Sequence, residues 1–167
     1  MSPSRWEKVL NERDWLLADG ATGTNYFAMG LRSGDSPELW NIDHPDRVAS
    51  LHRQFVESGA DIILTNSFGG SAYRLKLHQA ESRVRELNYA AAQIARGIAD
   101  VSERQVIIAG SIGPTGEILE PIGSLSIADA TAAFEEQAAA LVDGGVDIIW
   151  LETMSSKEEL QAAGVGA

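Results

Sequence analysis

Apolar residues follow two rhythms along the chain. In four places they form short unbroken runs that end in polar or small residues. These are Trp15-Leu-Leu-Ala18 ahead of Asp19, Asp61-Ile-Ile-Leu-Thr-Asn-Ser67, Gln105-Val-Ile-Ile-Ala-Gly-Ser111 and Asp147-Ile-Ile-Trp-Leu-Glu-Thr153. Between the runs, apolar residues recur at steps of three and four. Val48, Leu51, Phe55 and Val56 share one helical face, as do Val84, Leu87, Ala91, Ile94 and Ile98, and then Ile127, Ala130, Phe134, Ala138 and Leu141. Steps of three and four put side chains on one side of an α-helix, whereas a continuous aliphatic run suits a strand covered on both faces.

Local signals set the predicted boundaries. Trp6 and Leu10 predict a short helix within residues 1–14. Pro45 suits the first turn of the next helix, where its missing N–H is no loss, and Gly59 suits its end. A second long helix is predicted over residues 80–101. Ser126 with Asp129 caps the third, and Gly144-Gly145 closes it. Ser155 and Glu158 have the spacing of a capping box for a fourth. Residues 25–44, with Gly30, Gly34 and Pro37, are predicted to be irregular, either a functional loop or a lid over the core.

The predicted order is therefore β-α repeated four times. The strands end at Asp19, Thr65, Ser111 and Glu152, at intervals of 46, 46 and 41 residues. Parallel strands under helices fit either an open doubly-wound sheet or a (β/α)8 TIM barrel. In both, ligand groups gather at the C-terminal ends of the strands. Four βα units make half of a barrel of about 250 residues. Gly164 and Gly166 also weaken the last helix, so the chain is expected to be part of a longer one.

Composition narrows the chemistry. The 167 residues suffice for one core, and no apolar run is long enough to span a membrane. The polar start, Met-Ser-Pro-Ser-Arg-Trp-Glu, lacks a signal core, so a cytoplasmic protein is expected. A net charge of −11 argues against nucleic acid and anionic membrane as partners. The chain has no cysteine, which excludes disulfides and any thiolate metal site of its own.

The polar residues at the strand ends are the candidate site. Asp19 opens a loop of small residues, Gly20-Ala21-Thr22-Gly23-Thr24, that lets a ligand approach the backbone. It is neither a P-loop nor a GxGxxG turn. A fixed carboxylate beside backbone N–H groups suits a zwitterion such as an amino acid. Asp19 and Glu152 could pair with its ammonium, could be solvated acids or caps, or could act as the acid and base of a glycosidase. Asn66 could orient a ligand or simply bond to backbone. Gly110, Ser111, Gly113, Pro114 and Thr115 read as a pocket wall. Trp40, Phe68 and Tyr73 could enclose a cationic methyl group, or pack in core and loops. His44, His52 and His78 lack metal-binding spacing and are expected on the surface or in packing. No strand ends in a lysine, which disfavours an aldolase.

Five motifs in order resemble the homocysteine S-methyltransferases: Asp19-Gly-Ala-Thr-Gly-Thr24, Glu38-Leu-Trp-Asn41, Thr65-Asn-Ser-Phe68, Gly110-Ser-Ile-Gly-Pro-Thr115 and Trp150-Leu-Glu-Thr153. The resemblance runs from about residue 14 to residue 162. It implies a (β/α)8 barrel, with this chain as its first four βα units. It also implies homocysteine as substrate and methionine as product, in one-carbon metabolism. By the same resemblance, Asp19 and Glu152 hold the homocysteine amino group, and backbone from Gly20 to Thr24 holds its carboxylate. Asn66 and Ser111 line the floor. The family's zinc is held by cysteines in the second half of the barrel, so this chain is expected to carry the amino-acid half of the site and to be inactive alone. Methylcobalamin, a folate, betaine and S-methylmethionine are the possible methyl donors. Gly69-Gly70, which follows Phe68, is no aromatic cage and weakens the case for betaine. A half-barrel leaves strand edges and an apolar floor open, so self-association is expected.

Overall fold

The computed structural model describes residues 4–167. Helix α1 (Arg5–Glu12) starts at Ser4 with a reciprocal cap: the Glu7 N–H donates to Ser4 Oγ at 3.2 Å, and the Ser4 N–H donates to Glu7 Oε2 at 2.7 Å. The first three residues of the stretch predicted to hold this helix lie outside the described residues. The other long helices are α4 (Pro45–Glu57), α6 (Val84–Asp100), α7 (Ile127–Gly144) and α8 (Lys157–Gly166).

Three parallel strands, β1 (Ile62–Leu64), β2 (Ile107–Ile112) and β3 (Ile148–Leu151), lie side by side in chain order. Ala18 adds one parallel bridge to Ile62, on the side of β1 away from β2. Barrel strands follow one another in this way, without the reversal of a doubly-wound sheet. Alternate residues divide between the two faces. Ile62, Ile107, Ala109, Ile148 and Trp150 pack together with Val9 and Trp6 of α1. Ile63 and Ile108 meet Ala95 and Ala99 of α6, and Ile112, Ile149 and Leu151 meet Phe134 and Leu141 of α7.

Three sequence expectations are corrected. The first strand is reduced to the Ala18 bridge, with Trp15 73% and Leu17 49% exposed. Leu16 and Ala18 turn inward, and the alternate residues Trp15 and Leu17 point to the opposite face, where they stay exposed. Residues 25–44 are largely ordered as α2 (Gly23–Ala28), a 3-10 turn (Pro37–Leu39) and α3 (Trp40–Asp43). Each is shorter than a periodic pattern can reveal. Their buried Tyr26, Leu31 and Trp40 pack on Val48 and Leu51 of α4. The α8 cap lies one residue later than expected: Ser156 Oγ accepts the Glu159 N–H at 3.1 Å, while Glu158 is exposed. In α7 the predicted face holds except at Ile127, in the first turn, which is 49% exposed.

His52 of α4 is buried, and neither ring nitrogen has a partner among the described residues. Burial pushes its pKa down from 6.5 to about 4, so the folded protein holds the ring neutral while the unfolded chain protonates it. The stability this supplies is whole above pH 6.5 and is lost as pH falls toward 4. His52→Leu should remove that dependence and stabilise the protein at pH 5 by about 2 kcal/mol relative to wild type, read from urea midpoints at pH 5 and pH 7.5.

Candidate functional site

The C-terminal ends of the strands frame a cavity of about 690 Å³. Ser111 and Glu152 follow the alternation of β2 and β3 onto the face that carries Trp150, and all three line the cavity. Asp19 follows the Ala18 bridge, and its N–H donates to the Ile62 carbonyl at 2.9 Å. Asp19 and Glu152 are separated by the widths of β1 and β2, about 14 Å in a flat sheet. They nonetheless line one cavity.

Each carboxylate is fixed by one oxygen. Asp19 Oδ2 accepts the Leu64 N–H at 2.9 Å, and Glu152 Oε1 accepts the Ser111 hydroxyl at 2.6 Å. Neither forms an ion pair among the described residues. Burial raises the Asp19 pKa from 3.8 to about 6; the Leu64 N–H opposes this, and the Glu152 charge adds to it. Such a pair lacks a cation. The N–H groups of Gly20, Ala21 and Thr22 reach no acceptor among the described residues, and these residues and Gly23 line the cavity beside Asp19. Thr24 does not: it is exposed on α2.

A chain of hydroxyls ties the strand tips together. The Ser67 hydroxyl donates to the Ser111 carbonyl at 2.7 Å. Its only proton is then committed, so the Thr65 hydroxyl is the donor in the 2.6 Å contact with Ser67. Thr65 Oγ1 in turn accepts the Ser111 N–H at 3.0 Å. Asn66 lines the cavity, but its amide protons are committed to the Pro37 carbonyl at 2.7 Å and Asn41 Oδ1 at 3.0 Å. Its oxygen is the atom left to face a ligand.

Two carboxylates support the wall without having been assigned a role from sequence. Glu38 is buried, accepting the Gly69 N–H at 2.7 Å and the Ser36 hydroxyl at 2.6 Å. Glu159 is fully buried and accepts the Thr115 N–H at 2.9 Å, the Thr115 hydroxyl at 2.7 Å and the Ser155 N–H at 2.9 Å. It thereby holds the Gly113-Pro114-Thr115 turn against the start of α8. A signal for Glu38 was available, since it opens a motif quoted above; Glu159 had only its place one residue beyond the expected cap.

Trp40, Phe68 and Tyr73 do not form a cage. Trp40 is buried against Tyr26, with ring centroids 5.4 Å apart, and Tyr73 packs on the cluster around Phe134. Phe68 lines the cavity and lies over Gly113, where a Cβ would stand 2.5 Å from its ring. His44 packs edge-on against Trp40. His78, expected on the surface or in packing, lines the cavity, because the short turn after α5 (Ala72–Leu75) carries it there. The Tyr26 hydroxyl is buried at the cavity wall with no partner among the described residues, and burial and the charges of Glu38 and Asp19 raise its pKa.

Metal ligands are a separate question. Among the described residues, no three His, Cys, Asp or Glu side chains converge on a point that a metal could occupy, and the chain has no cysteine. These residues do not fit a thiolate-held zinc, and no chemical step is routed through one. Among the described residues, no helix is long and apolar enough to cross a membrane.

Parallel strands in chain order, with a polar cavity at their C-terminal tips, define an α/β protein of the barrel type with a small-molecule site. The homocysteine S-methyltransferase family profile matches residues 16–166, and the chain belongs to that family. It is 34% identical to the methionine synthase of Mycobacterium tuberculosis (strain ATCC 25618 / H37Rv) over 168 residues, covering 95% of this chain and 14% of that protein. It is 30% identical to the methionine synthase of Mycobacterium leprae (strain TN) over 161 residues, covering 91% of this chain and 13% of that protein. The fold is similar to the oxidized form of the homocysteine methyltransferase MmuM from Escherichia coli, with a TM-score of 0.82 at 23% identity, over 96% of this chain and 60% of that one. The metallated form of MmuM gives a TM-score of 0.81 at 23% identity, over 95% and 60%. The chain thus spans a small part of the mycobacterial relatives and about three fifths of the solved one.

The ionised Asp19 destabilises the ligand-free fold. Because its folded pKa lies above 3.8, the protein is favoured below that pH and loses the benefit as pH rises through about 6. Asp19→Asn keeps an acceptor for the Leu64 N–H and removes the charge. At pH 7.5 it should stabilise the ligand-free protein by about 2–3 kcal/mol, and below pH 4 by nothing, as read from urea unfolding at the two pH values.

Proposed function

We propose that this chain is the amino-acid-binding part of a homocysteine S-methyltransferase, covering about the first four βα units of a (β/α)8 barrel. The observation that carries the reading is the pair Asp19 and Glu152. Each spends one oxygen within the protein, and neither has a cation among the described residues. The ammonium of L-homocysteine would supply that charge through bonds worth about 1.5–3 kcal/mol each. The N–H groups of Gly20, Ala21 and Thr22 would take its carboxylate, and Ser111 and Asn66 would shape the floor. The thiol must be deprotonated before it can attack a methyl group. Nothing described here supplies that step, so the chain binds the substrate and is inactive alone.

A second reading, that the chain self-associates, has its own support. Trp15 and Leu17 are exposed, all four residues of β3 are only part-buried, and no strand borders β3 on its far side among the described residues. Open edges of parallel sheet invite pairing.

Calorimetry at pH 7.5 should show L-homocysteine binding to wild type and about tenfold or greater weakening in Glu152→Ala. Affinity should also fall as pH drops below about 6, where Asp19 takes up its proton. Equal affinities for wild type and variant would remove Glu152 from the site. Self-association should appear in sedimentation velocity as a mass that rises with concentration. A constant monomer mass over the accessible range would count against it.

A further inference from the structure

The cavity has a cationic side that the amino-acid reading does not use. Arg74 of α5 lines it and is part-buried, yet its guanidinium forms no ion pair and no hydrogen bond among the described residues. This is unusual in a chain with 24 acidic residues against 13 Lys and Arg. None of the four acids that line the same cavity pairs with Arg74. Asp35 pairs with Arg32 at 3.1 Å, Glu38 holds Ser36 and Gly69, Asp19 holds Leu64 and Glu152 holds Ser111. The Arg74 side chain lies along the turn after β2: a Cβ on Gly116 would stand 3.1 Å from Nη1 and 3.2 Å from Cδ. The head group is thus supported by backbone packing and left without an anion. His78, four residues further on, lines the same cavity.

A part-buried guanidinium without an acceptor loses solvation and gains nothing in return, unless an anion arrives with the ligand. Its planar fork matches the two oxygens of a carboxylate. Space permits a second molecule. Homocysteine has eight heavy atoms, which fill roughly 240 Å³ at ~30 Å³ for each water-sized atom, against a cavity of about 690 Å³.

The geometry points to Arg74, which shares the cavity with His78, as an anion subsite that takes the carboxylate of a second, methyl-donating substrate, separate from the strand-tip pair that takes the ammonium of the first. The preferred donor is then a small molecule bearing a carboxylate. Naming the ligand as a methyl donor rests on the function proposed above; the anion subsite does not.

Calorimetry of the whole chain, first with L-homocysteine and then with donors added at saturating homocysteine, tests this. S-methyl-L-methionine carries a sulfonium and a carboxylate, and trimethylsulfonium carries the sulfonium alone. Arg74→Gln should weaken S-methyl-L-methionine at least about tenfold, leave homocysteine within about twofold, and leave trimethylsulfonium unchanged. Arg74→Lys should recover part of the loss, and circular dichroism should show both variants folded as wild type. Loss of homocysteine affinity in Arg74→Gln would assign the guanidinium to the first substrate and overturn the proposal, as would unchanged S-methyl-L-methionine affinity. If wild type binds no homocysteine, the function proposed above fails, and acetate becomes the probe. An acetate-dependent shift of the His78 ring Hε1 resonance that Arg74→Gln abolishes would sustain the anion subsite alone, and no such shift would overturn it.

Discussion

Two carboxylates face one cavity, and no cation among the described residues neutralises either of them. The rest of the site follows from holding that charge in place. A free carboxylate on a flexible side chain would turn to water. Here Asp19 is pinned by a backbone N–H of the neighbouring strand and Glu152 by a hydroxyl of its own neighbour. Each bond uses one oxygen and leaves the other for a ligand. The two line one cavity from either side of β1 and β2. The cost is visible at Asp19, whose pKa rises to about 6 because burial outweighs the Leu64 N–H. Binding a cation would reverse that cost, which is how a destabilised unliganded site becomes affinity.

Holding two like charges requires a rigid frame, and the frame is polar. The bonds from Ser111 N–H to Thr65, from Thr65 to Ser67 and from Ser67 back to the Ser111 carbonyl close a loop between the tips of β1 and β2. Behind it, Gln137 donates to the Ser67 carbonyl at 2.7 Å and to Asn88 Oδ1 at 3.2 Å, and Asn88 donates to the Gly70 carbonyl at 2.9 Å. Glu159 does the same for the turn after β2. Buried networks of this kind favour one arrangement of side chains, because a slip leaves further polar groups without a partner; Gln137 Oε1 already has none among the described residues. Helices α6 and α7 are therefore part of the site although neither lines the cavity: each supplies an amide that holds the β1 tip.

The sequence was most legible where the chain repeats itself. Aliphatic runs located β1, β2 and β3, and steps of three and four located α4, α6 and α7, because burial on a regular element imposes a regular pattern. Asp19, Ser111 and Glu152 could be picked out because a polar residue directly after a buried run is conspicuous. Legibility failed where structure comes from contacts distant in sequence. Trp15 and Leu17 look like core, yet they alternate with the inward Leu16 and Ala18 and lie exposed on the other face. Tyr26 and Trp40 sit in pieces too short to show a period, yet both are buried by α4. For Asn66 the sequence leaves open both a ligand-orienting role and a bond to backbone; its tether to Pro37 and Asn41 crosses more than twenty residues and leaves no local trace. Glu38 and Glu159 resemble surface acids in sequence and become supports only when Gly69 and Thr115 are brought to them.

The two anchors of the carboxylate pair are not equally protected. Every residue of β2 is buried, whereas every residue of β3 is only part-buried, and Glu152 follows β3 directly. Charge–charge attraction strengthens as water is excluded, since the same separation is worth several times more at low effective dielectric. Burial already raises the Asp19 pKa, and both acids follow segments with no neighbouring strand on their far side among the described residues. Anything that covers the β3 edge, whether another stretch of barrel or a second copy of the chain, would dry the Glu152 side without touching the ligand. The proposed grip on an ammonium would therefore be coupled to what lies beside β3, because Glu152 follows a strand that is only part-buried.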